Sequence, residues 1–268
     1  MAGKPPSDVL AAFEADVPPS RIEGGQGDAW VAGESVFKPL DVSEEELRFQ
    51  ADLLSSVTQD GFRVATPRRT RAGELVVSGW TCFELLAGQH EQRRWVDIID
   101  VGQRFHAAIR GLPEPAFIGR RTHAWSFGDR VAFGELDPGQ IPPVRHLRRL
   151  LELCRPVGQP AQLIHGDLTG NVLFAPDLPP AIIDFSPYFR PEPFASAIVI
   201  ADALVFEGAD ERLLTAVSGI PDLPQYLLRA LVYRLVTDRL ARPGRADPLP
   251  ADDPYLPAVE LAVRLATR

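Results

Sequence analysis

The stretch His165-Gly166-Asp167-Leu168-Thr169-Gly170-Asn171, followed thirteen residues later by Asp184 in Ile182-Ile183-Asp184-Phe185, decides the reading of this chain. Short apolar runs surround it at Gln162–Ile164, Val172–Phe174 and Ala181–Asp184. Turn residues such as Pro176-Asp177 and Pro179-Pro180 set these runs off, and each reads as a strand. A short hairpin of this kind brings Asp167, Asn171 and Asp184 to one edge. Two carboxylates and an amide there suit a hard, oxygen-seeking Mg²⁺ together with one proton acceptor. Asp and Asn in Gly-rich turns commonly do no more than satisfy backbone donors. Asp184 is the exception, because it ends an apolar strand where an unpartnered, half-buried carboxylate is costly.

Towards the N-terminus, Arg21–Glu23, Trp30–Ala32 and Ser35–Lys38 read as three strands. A Gly-rich turn, Gly24-Gly25-Gln26-Gly27, separates the first two. Asp41 or Ser43 caps a helix whose first turn carries Glu44, Glu45 and Glu46, acids that suit the positive end of its dipole. Two further strands are expected around Pro67–Arg71 and Leu75–Cys82. Beyond Gly88 the period becomes helical: Trp95, Ile98, Ile99, Phe105 and Ile109 form one stripe over Glu91–Arg110. Leu147, Leu150, Leu151 and Cys154 form a second. The Pro/Gly-rich stretch between these helices, 111–143, receives no assignment. Later helices are expected at Ala195–Phe206, Glu211–Val217, Leu223–Leu240 and Pro257–Thr267. Strands first and helices after define an α+β chain in two lobes.

Composition narrows the function. The 268 residues carry a net charge of −8, which argues against a nucleic-acid binder with its basic face. No apolar run approaches the ~20 residues of a membrane helix. Met1–Asp16 is polar and acidic and lacks a signal-peptide core. Two cysteines, Cys82 and Cys154, make no disulfide framework, so a cytoplasmic protein is expected. Of 28 basic residues 26 are arginine, and the only lysines are Lys4 and Lys38.

With these residues in place the chain resembles the aminoglycoside phosphotransferase-like branch of the protein-kinase-like fold. The resemblance lies in His165-Gly166-Asp167-Leu168, Asn171-Val172-Leu173 and Ile182-Ile183-Asp184-Phe185, and extends to the Gly-rich turn, Lys38 and the capped helix. It implies a small strand-rich lobe over residues 1–88, ending in an interlobe hinge, and a larger helical lobe over 89–268. The activity it implies is Mg²⁺-dependent transfer of the γ-phosphate of ATP or GTP to a hydroxyl of a small molecule.

By the same resemblance Asp167 orients or deprotonates the acceptor hydroxyl, and Asn171 and Asp184 hold Mg²⁺. Lys38 contacts the α/β-phosphates, the amides of Gly24, Gly25 and Gly27 cover them, and backbone groups of Phe83 and Leu85 receive the base. His165 braces the loop. Lys38 needs a carboxylate from the next helix, and Glu46 and Gln50, which share a face, are both candidates. Asp202, Glu207, Asp210, Glu211 and Asp238 form either a pocket for a cationic acceptor, as in the antibiotic-modifying members, or a solvated face. His106, on the long helix, reads as a satisfied core histidine.

Three departures stand out. Asn171 follows Asp167 by four residues where the kinase loop has five. Ser186-Pro187 replaces the Gly of a mobile Asp-Phe-Gly switch. Only about ten residues separate Asp184 from the next expected helix, too few for a segment that docks a polypeptide. The last two favour a small-molecule kinase over a protein kinase. The shortened loop and the open choice between Glu46 and Gln50 opposite Lys38 leave a nucleotide-binding pseudokinase module as the rival.

Overall fold

The computed structural model describes residues 3–22, 29–244 and 252–267. The chain forms two compact units, residues 1–91 with 170–185 and residues 92–169 with 186–268. The expected second lobe took in all of 89–268, whereas the 170–185 hairpin clusters with the N-terminal unit.

The first unit opens with helix α1 (Ser7–Ala12), then strands β1 (Ser20–Arg21), β2 (Trp30–Ala32) and β3 (Ser35–Pro39). Helix α2 (Glu44–Ser56) and strands β4 (Arg63–Val64) and β5 (Trp80–Glu84) follow. An antiparallel sheet runs β1-β2-β3-β5, with Lys38 opposite Thr81. Successive residues of a strand face opposite sides. Phe37 therefore packs with Val9, Phe13, Ala32, Trp80 and Cys82 in one core cluster, and Lys38 is turned to the other face. A second cluster joins Leu47 and Ala51 of α2 to Leu75, with Phe83 packed against it. Ser43, not Asp41, caps α2: its Oγ accepts the Glu46 N–H at 3.2 Å.

Two sequence expectations shift here. Pro67–Arg71 forms no strand and makes a single bridge, Pro67 to Phe83. The strand expected over Leu75–Cys82 starts only at Trp80, after a tight turn in which Val77 and Trp80 bond each other's backbone.

Helix α3 (Trp95–Ala108) begins the second unit, followed by α4 (Ala124–Ala132), α5 (Leu147–Leu151) and strand β6 (Ala161–His165). The chain then enters the hairpin of β7 (Val172–Ala175) and β8 (Leu178–Ile182) before returning through β9 (Pro187–Pro191). Helices α6 (Pro193–Phe206), α7 (Arg212–Ala216), α8 (Leu223–Ala241) and α9 (Leu256–Ala266) complete it. The strands flanking the His165–Asn171 loop do not pair with each other. Strand β6 pairs with β9, while β7 pairs with β8, which in turn runs parallel to β4.

Helix α6 is apolar on all sides and buried almost throughout, as expected of a helix at the centre of a bundle. Helix α8 packs against it and against α4, α5 and α9. Among the described residues no helix is long and apolar enough to cross a membrane.

Candidate active site

In the first unit Lys38 meets Asp184. The ammonium pairs with the Asp184 carboxylate, 146 positions away in the chain, and lies 5.9 Å from the centroid of the Phe83 ring. Strand pairing explains the meeting on one side: Val172 stands opposite Ile182, and the Ile183 N–H bonds the Asn171 carbonyl at 3.0 Å. Asn171 and Asp184 therefore leave the same end of the β7–β8 hairpin. Asp184 has φ 51°, a left-handed conformation that Asp tolerates better than bulkier residues do. Asp41 adds a second carboxyl to this neighbourhood. Burial pushes its pKa up, and the Lys38 ammonium pulls against that rise.

Glu46 and Gln50 are both buried in α2, and Gln50 donates to Glu46 at 3.3 Å. The two candidates for facing the lysine thus bond to each other. Phe83 stands opposite Val36 in the sheet. The Leu85 N–H donates to the Glu34 carbonyl at 3.0 Å. A cavity of about 400 Å³ opens beside it, lined by Glu34, Arg68 and Glu84 among others. Gly24, Gly25 and Gly27 lie outside the described residues.

The second unit holds Asp167. Arg234, on α8, donates to its Oδ1 at 2.9 Å and grips both oxygens of Asp202, on α6, at 2.7 and 2.5 Å. Burial pushes the Asp202 carboxyl up and Arg234 opposes that. Burial alone would depress Arg234, but Asp202 and Asp167 outweigh it and hold the guanidinium firmly charged. A buried charge needs such partners, because leaving one unpaired costs several kcal/mol.

The loop backbone is fixed from behind. The Asp167 N–H donates to His165 Nδ1 at 3.2 Å, and the His165 N–H donates to His106 Nε2 at 2.9 Å. His106 Nδ1 lies 3.4 Å from Glu192 Oε1. These contacts put the His106 proton on Nδ1 and the His165 proton on Nε2. Both rings are fully buried. Gly166 is required between His165 and Asp167: a Cβ there would sit 2.3 Å from Tyr188 Cδ2.

Sequence reasoning missed Arg234. Its signal was present as a lone charge within Leu231-Val232-Tyr233-Arg234-Leu235-Val236, where only a paired guanidinium can be buried. Arg190, on β9 after Asp184, closes an ion cluster with Asp129 and Glu135 at 2.5–2.9 Å. Asp210 pairs with Arg212 at 2.6 Å on the surface. Asp202, Glu207 and Asp238 line one cavity of about 280 Å³, together with Arg234.

The donor chemistry fits Mg²⁺. That ion is commonly held by one or two carboxylates plus substrate phosphates, keeping several waters, rather than by an all-protein cage. Asp184 with Asn171 is such a partial oxygen set, and no group of three or more His, Cys, Asp or Glu side chains suited to a metal occurs among the described residues.

Residues 32–211 match the family described as "Phosphotransferase enzyme family", and the chain belongs to that family. No curated protein matches it in sequence. Among solved structures it is similar to an aminoglycoside phosphotransferase from Alicyclobacillus acidocaldarius, with TM-score 0.65 and 16% identity over 100% of this chain and 96% of that one. It is also similar to a thermostable mutant of aminoglycoside phosphotransferase APH(4)-Ia, with TM-score 0.60 and 12% identity over 96% and 97%. Spectinomycin phosphotransferase APH(9)-Ia, solved with ADP and spectinomycin, gives TM-score 0.55 and 14% identity over 97% and 96%. The fold is the two-lobed kinase-like fold of these proteins, and the chain is a small-molecule kinase.

Proposed function

We propose that the chain transfers the γ-phosphate of ATP or GTP to a hydroxyl of a small molecule, with Mg²⁺, in a reducing cytoplasm that keeps Cys82 and Cys154 as free thiols. The observation that carries the reading is the Lys38–Asp184 ion pair, with Asn171 leaving the same hairpin end as Asp184. It joins a cation suited to phosphate with oxygen donors suited to Mg²⁺. Bound Mg²⁺ supplies charge neutralisation at the β- and γ-phosphate oxygens. Lys38 turns from Asp184 to the α/β-phosphates when nucleotide enters, and Asp184 and Asn171 hold the metal. Glu46, buried in α2 and bonded to Gln50, is the carboxylate that would face the lysine. The amides of Gly24, Gly25 and Gly27 cover the phosphates, while Phe83 packs near the base and the Leu85 carbonyl bonds it.

Asp167 takes the proton of the acceptor hydroxyl as its oxygen bonds to the γ-phosphorus and the bond to the nucleoside diphosphate breaks. Arg234 fixes one carboxylate oxygen, and His165 and His106 hold the backbone, so the carboxylate is oriented before the acceptor arrives. In Asp167→Ala, phosphate transfer should fall by about 10²–10⁴-fold. The Mg²⁺-dependent thermal shift with ATP should remain. Undiminished transfer in that variant overturns the assignment. Nucleotide binding without turnover by the unaltered protein, over a broad acceptor panel, would make it a pseudokinase module.

A further inference from the structure

Asp202 is the one charged residue of α6, a helix otherwise apolar on every side and buried almost throughout. Its side chain is 5% exposed, that of Arg234 12%, and that of Asp167, at the far end of the contact, 37%. The contacts therefore run from the interior of the second unit out to the His165–Asn171 loop.

Stability does not account for a carboxylate at this place. Taking an ion pair out of water costs several kcal/mol per ion, and apolar side chains of similar volume commonly replace such a pair without loss. The hydrogen bonds show what the pair does instead. Arg234 Nε and Nη2 donate to the two oxygens of Asp202 at 2.7 and 2.5 Å, a bidentate fork that fixes the plane of the guanidinium. Nη2 also donates to Asp167 Oδ1 at 2.9 Å. One nitrogen thus serves both carboxylates, and the direction of its bond to Asp167 follows from where Asp202 holds the fork. Among the described residues Asp202 and Asp167 are the only carboxylates paired with Arg234. Without Asp202 the fork would have Asp167 alone to close on.

We propose that Asp202 is a positioning residue for phosphate transfer. Acting through Arg234, it fixes the N–H that holds Asp167 Oδ1 and keeps the guanidinium from closing on both oxygens of the base. This rests on Asp167 being the base of the reaction.

The test is ADP release by the full chain with ATP and Mg²⁺, water serving as the hydroxyl acceptor, with kcat and the nucleotide KM measured for each variant. The apolar pair Asp202→Leu with Arg234→Met should unfold at or above the temperature of the parent. Its kcat should still fall about tenfold to a hundredfold, with the nucleotide KM within about twofold of the parent value. Arg234→Lys keeps the charge without the planar fork and should lose kcat to a similar extent. Asp202→Asn should fall at least as far, because its guanidinium is released onto Asp167. A folded apolar pair with kcat within about twofold of the parent, or a loss confined to the nucleotide KM, overturns the proposal. So does full activity in Arg234→Lys or in Asp202→Asn. An apolar pair that unfolds far below the parent assigns the contact to stability and overturns it too. Asp167→Ala in the same assay separates the two readings. Hydrolysis that survives it defeats the assignment of the base, whereas hydrolysis lost there but kept in the apolar pair defeats the role of Asp202 alone. A parent chain that binds ATP with Mg²⁺ yet releases no ADP defeats both.

Discussion

At the scale of single residues, Lys38 was the most legible part of the site. A chain that uses arginine at 26 of 28 basic positions keeps a lysine on β3, the second strand after its Gly-rich stretch. On the proposed function the reason is geometric. A compact ammonium on a flexible stem can pass from Asp184 to a phosphate oxygen, while a planar guanidinium engages a carboxylate through two bonds and releases it less readily. Lys38→Arg should therefore lower kcat/KM for the nucleotide by about tenfold or more, the equivalent of roughly one charged hydrogen bond. Steady-state kinetics with ATP varied will measure it, and an unchanged value would make the lysine incidental. Asp184 was legible for a related reason, a carboxylate ending an Ile-Ile strand. Arg234 was not: its partners Asp167 and Asp202 lie 67 and 32 positions away, and local pattern carries no information about such pairs.

Among the elements, the long periodic helices were legible and the ones built from tertiary contacts were not. Helix α3 shows its apolar stripe in sequence. Helix α4 lies in a Pro/Gly-rich stretch, and its close seat on α8 comes from a residue that reads as a helix breaker. Gly128 faces α8 so tightly that an added Cβ would stand 2.7 Å from the Tyr233 carbonyl oxygen and 2.5 Å from Thr237 Oγ1. Alanine there would gain up to about 1 kcal/mol of helix propensity. It would also have to push apart two backbones, and overpacking of that kind costs about 1–3 kcal/mol or more. The carbonyl cannot rotate away as a side chain would, so the steric cost prevails. Gly128→Ala should lower the unfolding temperature. Because Tyr233 precedes Arg234, it should also lower kcat more than it raises the nucleotide KM. Calorimetry and nucleotide kinetics on the same preparation check both. A more stable variant with unaltered kcat would mean that α8 can move without cost.

For the whole molecule, the sequence showed where strands give way to helices but not how the chain passes between units. The passages fall at 91/92, 169/170 and 185/186, so Asp167, Asn171 and Asp184 each stand within two residues of one. That arrangement depends on β7–β8 finding a parallel partner in β4, a non-local pairing that no local period encodes. The second unit is therefore discontinuous and needs ties between 92–169 and 186–268. One such tie is Asp253, ahead of α9, whose Oδ2 lies 2.9 Å from His146 Nε2 and 3.3 Å from Arg145 Nη1. Burial would push its pKa up. The hydrogen bonds from His146, the Tyr255 N–H and Arg145 outweigh burial and hold it below the ordinary carboxylate value. Folding thus disfavours the protonated form, so stability from this group is complete above about pH 4, where the unfolded residue is also ionised. It drains away as pH falls through the lower folded value. At pH 7 Asp253→Asn should cost about 1–2 kcal/mol, or roughly 2–8 °C in unfolding temperature. The gap between variant and parent should close as both are taken below about pH 3. A gap that stays constant across that range would mean that the carboxylate charge contributes nothing to the tie.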